Sequence, residues 1–269
     1  MKRQLIQTAA CCAALALSAT VMAADNNQKS SSHPQGKLVK ASQVTGAKLF
    51  DQNGKNIGEL DDVLFDENTG GMTHAIVSVG GWLGIGEKES AVPWKFVRPS
   101  KDKDTEFVLT VDQSKLKDSD NFDRNHGPTM DESWYQKNYQ HYGLTAGKNV
   151  KLVRASKAVG ADVYNTGGDK IGEIKDLLMH PTTGKVAYGT LSIGEYVGKG
   201  DKLTNVPWNA IRQSKKETAG FVVNVDKAKL AAATYFDKSS WPDENDWGWQ
   251  TNNYGYYGFA PYWTDPTIH

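Results

Sequence analysis

The chain has 269 residues, 39% of them apolar, with 26 glycines and 31 basic against 31 acidic side chains. Balanced charge gives no electrostatic footprint for nucleic acid or for an anionic membrane surface, and the composition suits a soluble, loop-rich globular protein. Cys11 and Cys12 are the only cysteines and both lie near the start, so the body of the chain has no disulfide or thiol chemistry.

Lys2 and Arg3 precede an apolar, Ala-rich run from Leu5 to Val21, and Val21-Met22-Ala23 offers small residues at cleavage positions. This is the layout of a secretory signal peptide over residues 1–24, too short and too Ala-rich for a permanent span. Cleavage after Ala23 or Ala24 is expected to leave a periplasmic or secreted chain starting near Asp25, with no transmembrane span. A lipoprotein anchored through Cys11 or Cys12 fits worse, because Thr8-Ala9-Ala10 lacks the leading Leu. Losing Lys2 and Arg3 leaves 29 basic against 31 acidic residues. Residues 25–38 are polar without an apolar period and read as a flexible linker.

From there the chain is written twice. Ile57-Gly58-Glu59-Leu60-Asp61-Asp62-Val63-Leu64 returns 114 residues later as Ile171-Gly172-Glu173-Ile174-Lys175-Asp176-Leu177-Leu178. The register holds without a gap from Val39/Val153 to Leu116/Leu230, through Thr69-Gly70/Thr183-Gly184, Val92-Pro93-Trp94/Val206-Pro207-Trp208 and Arg98/Arg212. Matches so widely spread mark a duplicated domain: residues 39–120 and 153–236, each followed by an extension, 121–152 and 237–269.

Each copy is punctuated as a small β protein. Residues 47–50 form a short strand, and the Asn53-Gly54 pair suits a tight turn. Strands follow over 57–66 and over the β-branched stretch 72–79. Residues 89–97 read as two short strands bent at Pro93, 107–111 as the last strand and 113–117 as one helical turn. The second copy repeats the plan over 162–164, 171–180, 186–193, 203–211 and 221–225. No other run beyond the leader carries a helical period. An all-β pair of tandem small barrels with aromatic, irregular extensions follows, since closure hides strand edges.

One position breaks simple alternation. Asp62 shares a strand face with Leu60 and Leu64, as Asp176 does with Ile174 and Leu178. A carboxylate there must be hydrogen-bonded or displaced by a bulge. It is either a poised acid or metal ligand, or an acceptor that ties a neighbouring turn; the second is the ordinary expectation.

The Ile-Gly-Glu-x-x-Asp strand, the Thr-Gly turn, Gly80-Gly81-Trp82-Leu83-Gly84-Ile85-Gly86-Glu87-Lys88 and Val92-Pro93-Trp94 together resemble the PRC-barrel family. That family includes the cytoplasmic domain of the photosynthetic reaction-centre H subunit and a domain of a ribosome maturation factor. The resemblance covers about residues 40–118 and 154–232; the second copy departs at Glu195-Tyr196-Val197-Gly198-Lys199-Gly200. It implies a six-stranded barrel acting as a binding or assembly module, and no catalytic residues to carry over.

The residues themselves point the same way. The six histidines (His33, His74, His126, His141, His180, His269) are scattered without ligand spacing. The Gly80–86 stretch lacks the Lys-Ser/Thr of a phosphate loop, and no catalytic triad or cofactor motif stands out. Carboxylates such as Glu59, Asp61 and Glu173 read as solvated strand faces. No catalytic, cofactor-binding or metal residue is assigned, and no cofactor is expected.

The unusual composition lies in the extensions. Trp134, Tyr135, Tyr139 and Tyr142 follow the first barrel; Trp241, Trp247, Trp249, Tyr254, Tyr256, Tyr257, Phe259, Tyr262 and Trp263 follow the second. With a one-residue shift they align as well: Asn138-Tyr139 with Asn253-Tyr254, Tyr142-Gly143 with Tyr257-Gly258. Rings with polar edges suit either a recognition surface or lids that enlarge a small core. We expect Tyr139, Tyr142, Tyr254 and Tyr257 to pack on the barrels, with Tyr262 and Trp263 more exposed. Candidate partner-binding residues are Trp82, Leu83, Trp241, Trp247, Trp249, Tyr262 and Trp263. The expected function is a non-catalytic interaction or scaffold module of the bacterial envelope with a protein partner. A cell-wall glycan binder is the alternative if the rings lie exposed in a row, and a hydrolase the third, needing a cleft with convergent polar groups.

Overall fold

The two copies fold alike, and each completes the other. The computed structural model describes residues 33–78, 88–101, 103, 105–122, 127–215 and 220–265. The first copy runs β1 (Val39–Lys40), α1 (Ala41–Val44), β2 (Ala47–Phe50), β3 (Asn56–Asp66), β4 (Met72–Ser78), β5 (Glu89–Pro93), β6 (Val97–Pro99), β7 (Glu106–Leu109), α2 (Gln113–Lys117) and α3 (Glu132–His141). The second runs β8 (Leu152–Arg154), α4 (Ala155–Ala158), β9 (Asp162–Tyr164), β10 (Lys170–His180), β11 (Lys185–Ser192), β12 (Thr204–Pro207), β13 (Ile211–Gln213), β14 (Phe221–Val223), α5 (Lys227–Ala231) and α6 (Trp247–Tyr257).

The first sheet has the order β5-β4-β3-β2-β7-β6 and the second β12-β11-β10-β9-β14-β13. The outer strands of each sheet are consecutive in the chain, joined by the 3-10 turns Trp94–Phe96 and Trp208–Ala210. Each sheet therefore curls back on itself. The bend is where Pro93 and Pro207 place it, because proline ends a ladder without leaving an N–H unpaired.

The opening strand of each copy does not join its own sheet. β1 pairs with β10, Val39 opposite Met179, while β8 pairs with β3, Phe65 opposite Val153. The exchange is reciprocal. It explains the length of β3 and β10: their first halves pair with β2 and β9, and their far ends hold the strand lent by the other copy. One buried apolar cluster runs through both barrels, including Phe65 and Trp208, whose rings meet edge to face at 5.0 Å.

The repeated motif now has physical reasons. A bulge between Leu60 and Asp62, matched between Ile174 and Asp176, resets the alternation. Leu60, Val63 and Phe65 join the main core, while Leu64 packs with Ile76 and Trp134 on the outer face. Asp62, 3% exposed, accepts from Ser156 N (3.1 Å), Ser156 Oγ (2.6 Å) and Val63 N (2.8 Å). Asp176 does the same with Ser42 N (3.2 Å), Ser42 Oγ (2.6 Å) and Leu177 N (2.8 Å). Each carboxylate thus caps the short helix that follows the exchanged strand. The turn-tying alternative is the one realised, with the turn supplied by the other barrel. Gly70 and Gly184 sit at φ +66 and +63, where a Cβ would lie 3.1 Å from Trp208 Cδ1 and Trp94 Cδ1 respectively. The glycine of the Thr-Gly turn is needed both for its backbone and for the other copy's tryptophan.

Several sequence-based expectations need correction. The extensions are not irregular: α3 and α6 are helices of 10 and 11 residues, capped by Asp131 and Asp246. Their buried stripes, Trp134-Tyr135-Asn138 and Gln250-Tyr254-Tyr257, have helical spacing, but mixed aromatic and amide residues hide it from an apolar count. Leu38, at the end of the expected linker, is 6% exposed and packs with Tyr188 and Tyr254.

Candidate functional site

The aromatic extensions come first, since the sequence points to them. α3 lies on the outer face of the first barrel: Asn138 Nδ2 donates to Ala91 O (3.0 Å) and Tyr139 OH to Thr73 O (3.2 Å). α6 repeats this on the second, Asn253 Nδ2 to Asn205 O (3.1 Å) and Tyr254 OH to Ala187 O (2.9 Å). The one-residue shift between the extensions is thus real in three dimensions. Tyr142, Tyr254 and Tyr257 are buried as expected, and Tyr139 is partly buried.

Of the candidate partner-binding residues, Trp82 and Leu83 lie outside the described residues. Trp241 carries Lys40 Nζ 3.4 Å above its ring, Trp247 stacks on His33 at 4.3 Å and Trp249 packs on Tyr188 at 5.4 Å. Trp263 sits among Tyr254, Trp247 and Tyr262. Tyr262 is a correction: it is 7% exposed, not solvent-facing, because it packs against His180 and closes the small cluster around Leu38. The extension also straps the exchanged N-terminal strand, through Asn245 Oδ1 accepting from Leu38 N (2.8 Å) and Glu244 facing Lys40 (4.0 Å). Among the described residues the large exposed hydrophobic is Tyr256. Rings in an exposed row, the condition for the glycan reading, are not what these residues form.

The histidines are structural where they are buried. His74 is fully buried; with Asn138 Nδ2 committed to Ala91 O, Asn138 Oδ1 accepts from His74 Nε2 (3.1 Å). Burial lowers the His74 pKa to about 3, against the opposing pull of the Asn138 hydrogen bond. His180 takes the place that Asp66 has in the first copy. Its Nδ1 accepts from Thr183 N (3.3 Å), as Asp66 Oδ2 accepts from Thr69 Oγ1 (2.8 Å). Burial brings its pKa down to about 4. Among the described residues no group of three or more His, Cys, Asp or Glu is placed to hold a metal.

The seams between the barrels are where the copies differ most. At both, the tryptophan of Val-Pro-Trp donates across: Trp208 Nε1 to Glu67 O (2.9 Å) and Trp94 Nε1 to Pro181 O (3.0 Å). Glu67 and Pro181 are equivalent positions. On the first seam the Glu67 side chain, 2% exposed, turns in and accepts from Gln213 N (2.5 Å), with Lys151 Nζ at 3.8 Å. On the second, Pro181 has nothing to turn in, and a groove of about 800 Å³ opens beside Trp94. Among the described residues its lining carries Lys95, Arg98 and Lys185 and no acidic residue. Lys185 is 5% exposed and meets Asp265 Oδ2 at 2.6 Å.

The model of the PRC-barrel domain matches residues 37–116 and 151–230, together more than half of the chain. The chain belongs to the PRC-barrel family. Both matches begin at the exchanged strand and end at the short helix α2 or α5, so each family unit spans parts of both barrels. No curated protein matches the chain. Among the described residues no helix is long and apolar enough to cross a membrane.

The groove residues Lys95, Arg98 and Lys185 are absent from the sequence-based candidates. The signal was in the mismatches of the repeat rather than its matches: Glu67/Pro181, Gly71/Lys185 and Asn209/Lys95 are the changes that open and charge this seam.

Proposed function

We propose that this PRC-barrel pair is a non-catalytic, exported interaction module of the bacterial envelope that holds a protein partner in the open seam between its barrels. The observation that carries the reading is the groove itself: a concavity of about 800 Å³ built on strand ends and 3-10 turns fixed from both barrels. Sites on such rigid supports need little reorganisation to bind. The Lys2-Arg3 leader and its Ala23 boundary support export, and the structural engagement of His74, His180, Asp62 and Asp176 supports binding over catalysis.

The test is position-specific photo-crosslinking in intact envelope. A crosslinker at Thr182 or at Thr145, both exposed on the groove, is expected to trap the same protein. At Tyr256, on the aromatic extension, it is expected to trap none. Adducts at Tyr256 alone, or adducts to glycan strands, would overturn the reading in favour of the extension as the recognition surface.

A further inference from the structure

The geometry points to a chemical class for the partner: we propose that the open seam binds an acidic, carboxylate-bearing segment of a protein. This rests on the groove reading above and deepens it.

Two observations inside the molecule carry it. The first is the sealed seam, where the position equivalent to Pro181 carries a carboxylate. There Glu67 sends a carboxylate against the strand after the Trp turn, where it meets a backbone N–H from Gln213 and the Lys151 ammonium. In the open seam Pro181 replaces Glu67, and Lys95 replaces Asn209 on the turn beside it. The carboxylate is gone, Pro99 stands where Gln213 gave its N–H, and a cation has been added, so the change at this seam is one of charge. Arg98, the equivalent of Arg212, is exposed here and keeps one Nη1 on Val97 O (3.1 Å), leaving the rest of its guanidinium for a ligand.

The second observation is that this groove already takes a carboxylate at one end. Lys185 stands where the first copy has Gly71, and its buried ammonium is met by Asp265 from the C-terminal extension. A buried lysine needs an anionic partner, and the chain supplies one acid to one of three cations. Lys95 and Arg98, on the Trp94 turn and the strand after it, have no carboxylate partner among the described residues.

Trp94 and Met72 give the groove an apolar floor, and Tyr139 and Leu144 of the first extension form a wall. A segment mixing Asp or Glu with apolar residues fits such a surface better than a bare inorganic anion. Desolvated donors fix orientation, while the apolar floor supplies area.

Fluorescence anisotropy with a labelled oligoglutamate peptide tests this on the mature chain. Wild-type protein is expected to bind oligoglutamate and not oligoglutamine, and to weaken as salt rises. Lys95→Glu is expected to weaken binding about tenfold or more, since like charges meet across the groove. Lys95→Asn, the residue of the sealed seam, should give a smaller loss. Asn209→Glu, the same change at the equivalent exposed position, is expected to have no effect. Equal binding of oligoglutamine, no binding of oligoglutamate, or a Lys95→Glu affinity equal to wild type overturns the proposal. Full competition by inorganic phosphate at equal charge would also overturn it, as a general anion site. The two readings separate cleanly: a Thr182 adduct that oligoglutamate does not displace keeps the groove and removes the acid. Specific oligoglutamate binding without any envelope adduct removes the protein partner and keeps the chemistry.

Discussion

At one seam of this molecule Glu67 folds its carboxylate between the barrels; at the other Pro181 leaves the space open and three cations line it. The frame around the two positions is matched: the exchanged strands, the capping aspartates, the tryptophans that donate across, the glycines pressed against them. A fused pair of identical units would have two equal seams, as an isologous dimer does. Fusion frees each seam to change alone. The difference teaches that duplication built the scaffold, while divergence at a few seam positions made a concave surface at the open seam.

Other pairs of equivalent parts can be broken in order of expected effect. Deleting residues 241–269 removes the lid and the strap on the exchanged strand while leaving α3 in place. Each buried ring removes about 150–250 Å² from water, so the loss should exceed the roughly 5 kcal/mol of a single large core truncation. Calorimetry should show the melting temperature falling sharply; an unchanged melting temperature would make the extension a recognition element instead of a lid.

Trp208→Ala and Trp94→Ala compare the seams directly. Trp208 is fully buried against Phe65 and Phe221, and its loss should cost about 3–5 kcal/mol. Trp94 faces the groove, so its truncation should cost less. Urea midpoints for the two variants give the ranking, and a larger loss at Trp94 would contradict the assignment of the open seam.

Acid should destabilise both barrels through different histidines. Above about pH 6.5 the two buried imidazoles are neutral whether the chain is folded or not, and contribute no slope. As pH falls below that value the unfolded chain takes up protons that the folded one refuses until about 4 at His180 and about 3 at His74. Stability is then lost at up to about 1.4 kcal/mol per pH unit for each histidine. Melting temperatures measured down to about pH 4.5 should show this fall, with a shallower slope in His180→Asn. A flat profile would mean that these rings are not held neutral.

Asp62→Asn and Asp176→Asn each keep the side-chain shape and remove the charge from a buried cap. Each should cost about 1–3 kcal/mol, the range for a buried donor left poorly satisfied, with Asp62→Asn the larger because Asp62 also faces Arg154 Nη1 at 3.4 Å. Equilibrium unfolding of both settles it. A large cost at one and none at the other would break the reciprocity of the exchange.

Much of this was legible in the sequence. The repeat, the strand plan, the Pro bend and the family follow from matched residues, and the odd Asp in an apolar face called for a bulge or hydrogen-bond donors, of which the structure has both. What could not be read was which copy supplied those donors, since Ser156 lies 94 residues from Asp62 and only the exchanged strand brings them together. Helices α3 and α6 were missed because their buried faces mix Tyr, Trp, Asn and Gln, whose polar edges find partners on the barrel. Tyr262 was placed outside because its partner, His180, belongs to a distant strand end. The open seam escaped because identity between copies draws the eye, and a site made by divergence sits where identity fails.

The central claim is that the open seam has lost a carboxylate and gained cations that an acidic ligand answers, and Pro181→Glu tests it most directly. Glu67 shows that this backbone position accepts a glutamate, but Pro99 offers no N–H in place of that of Gln213, so the variant should fold with some loss in melting temperature. Its new carboxylate would add a negative charge to the groove that carries Lys95, Arg98 and Lys185 and so oppose an acidic ligand. The account predicts that Pro181→Glu loses oligoglutamate binding about tenfold or more by anisotropy. A stably folded Pro181→Glu protein that binds the acidic peptide as tightly as wild type would contradict it.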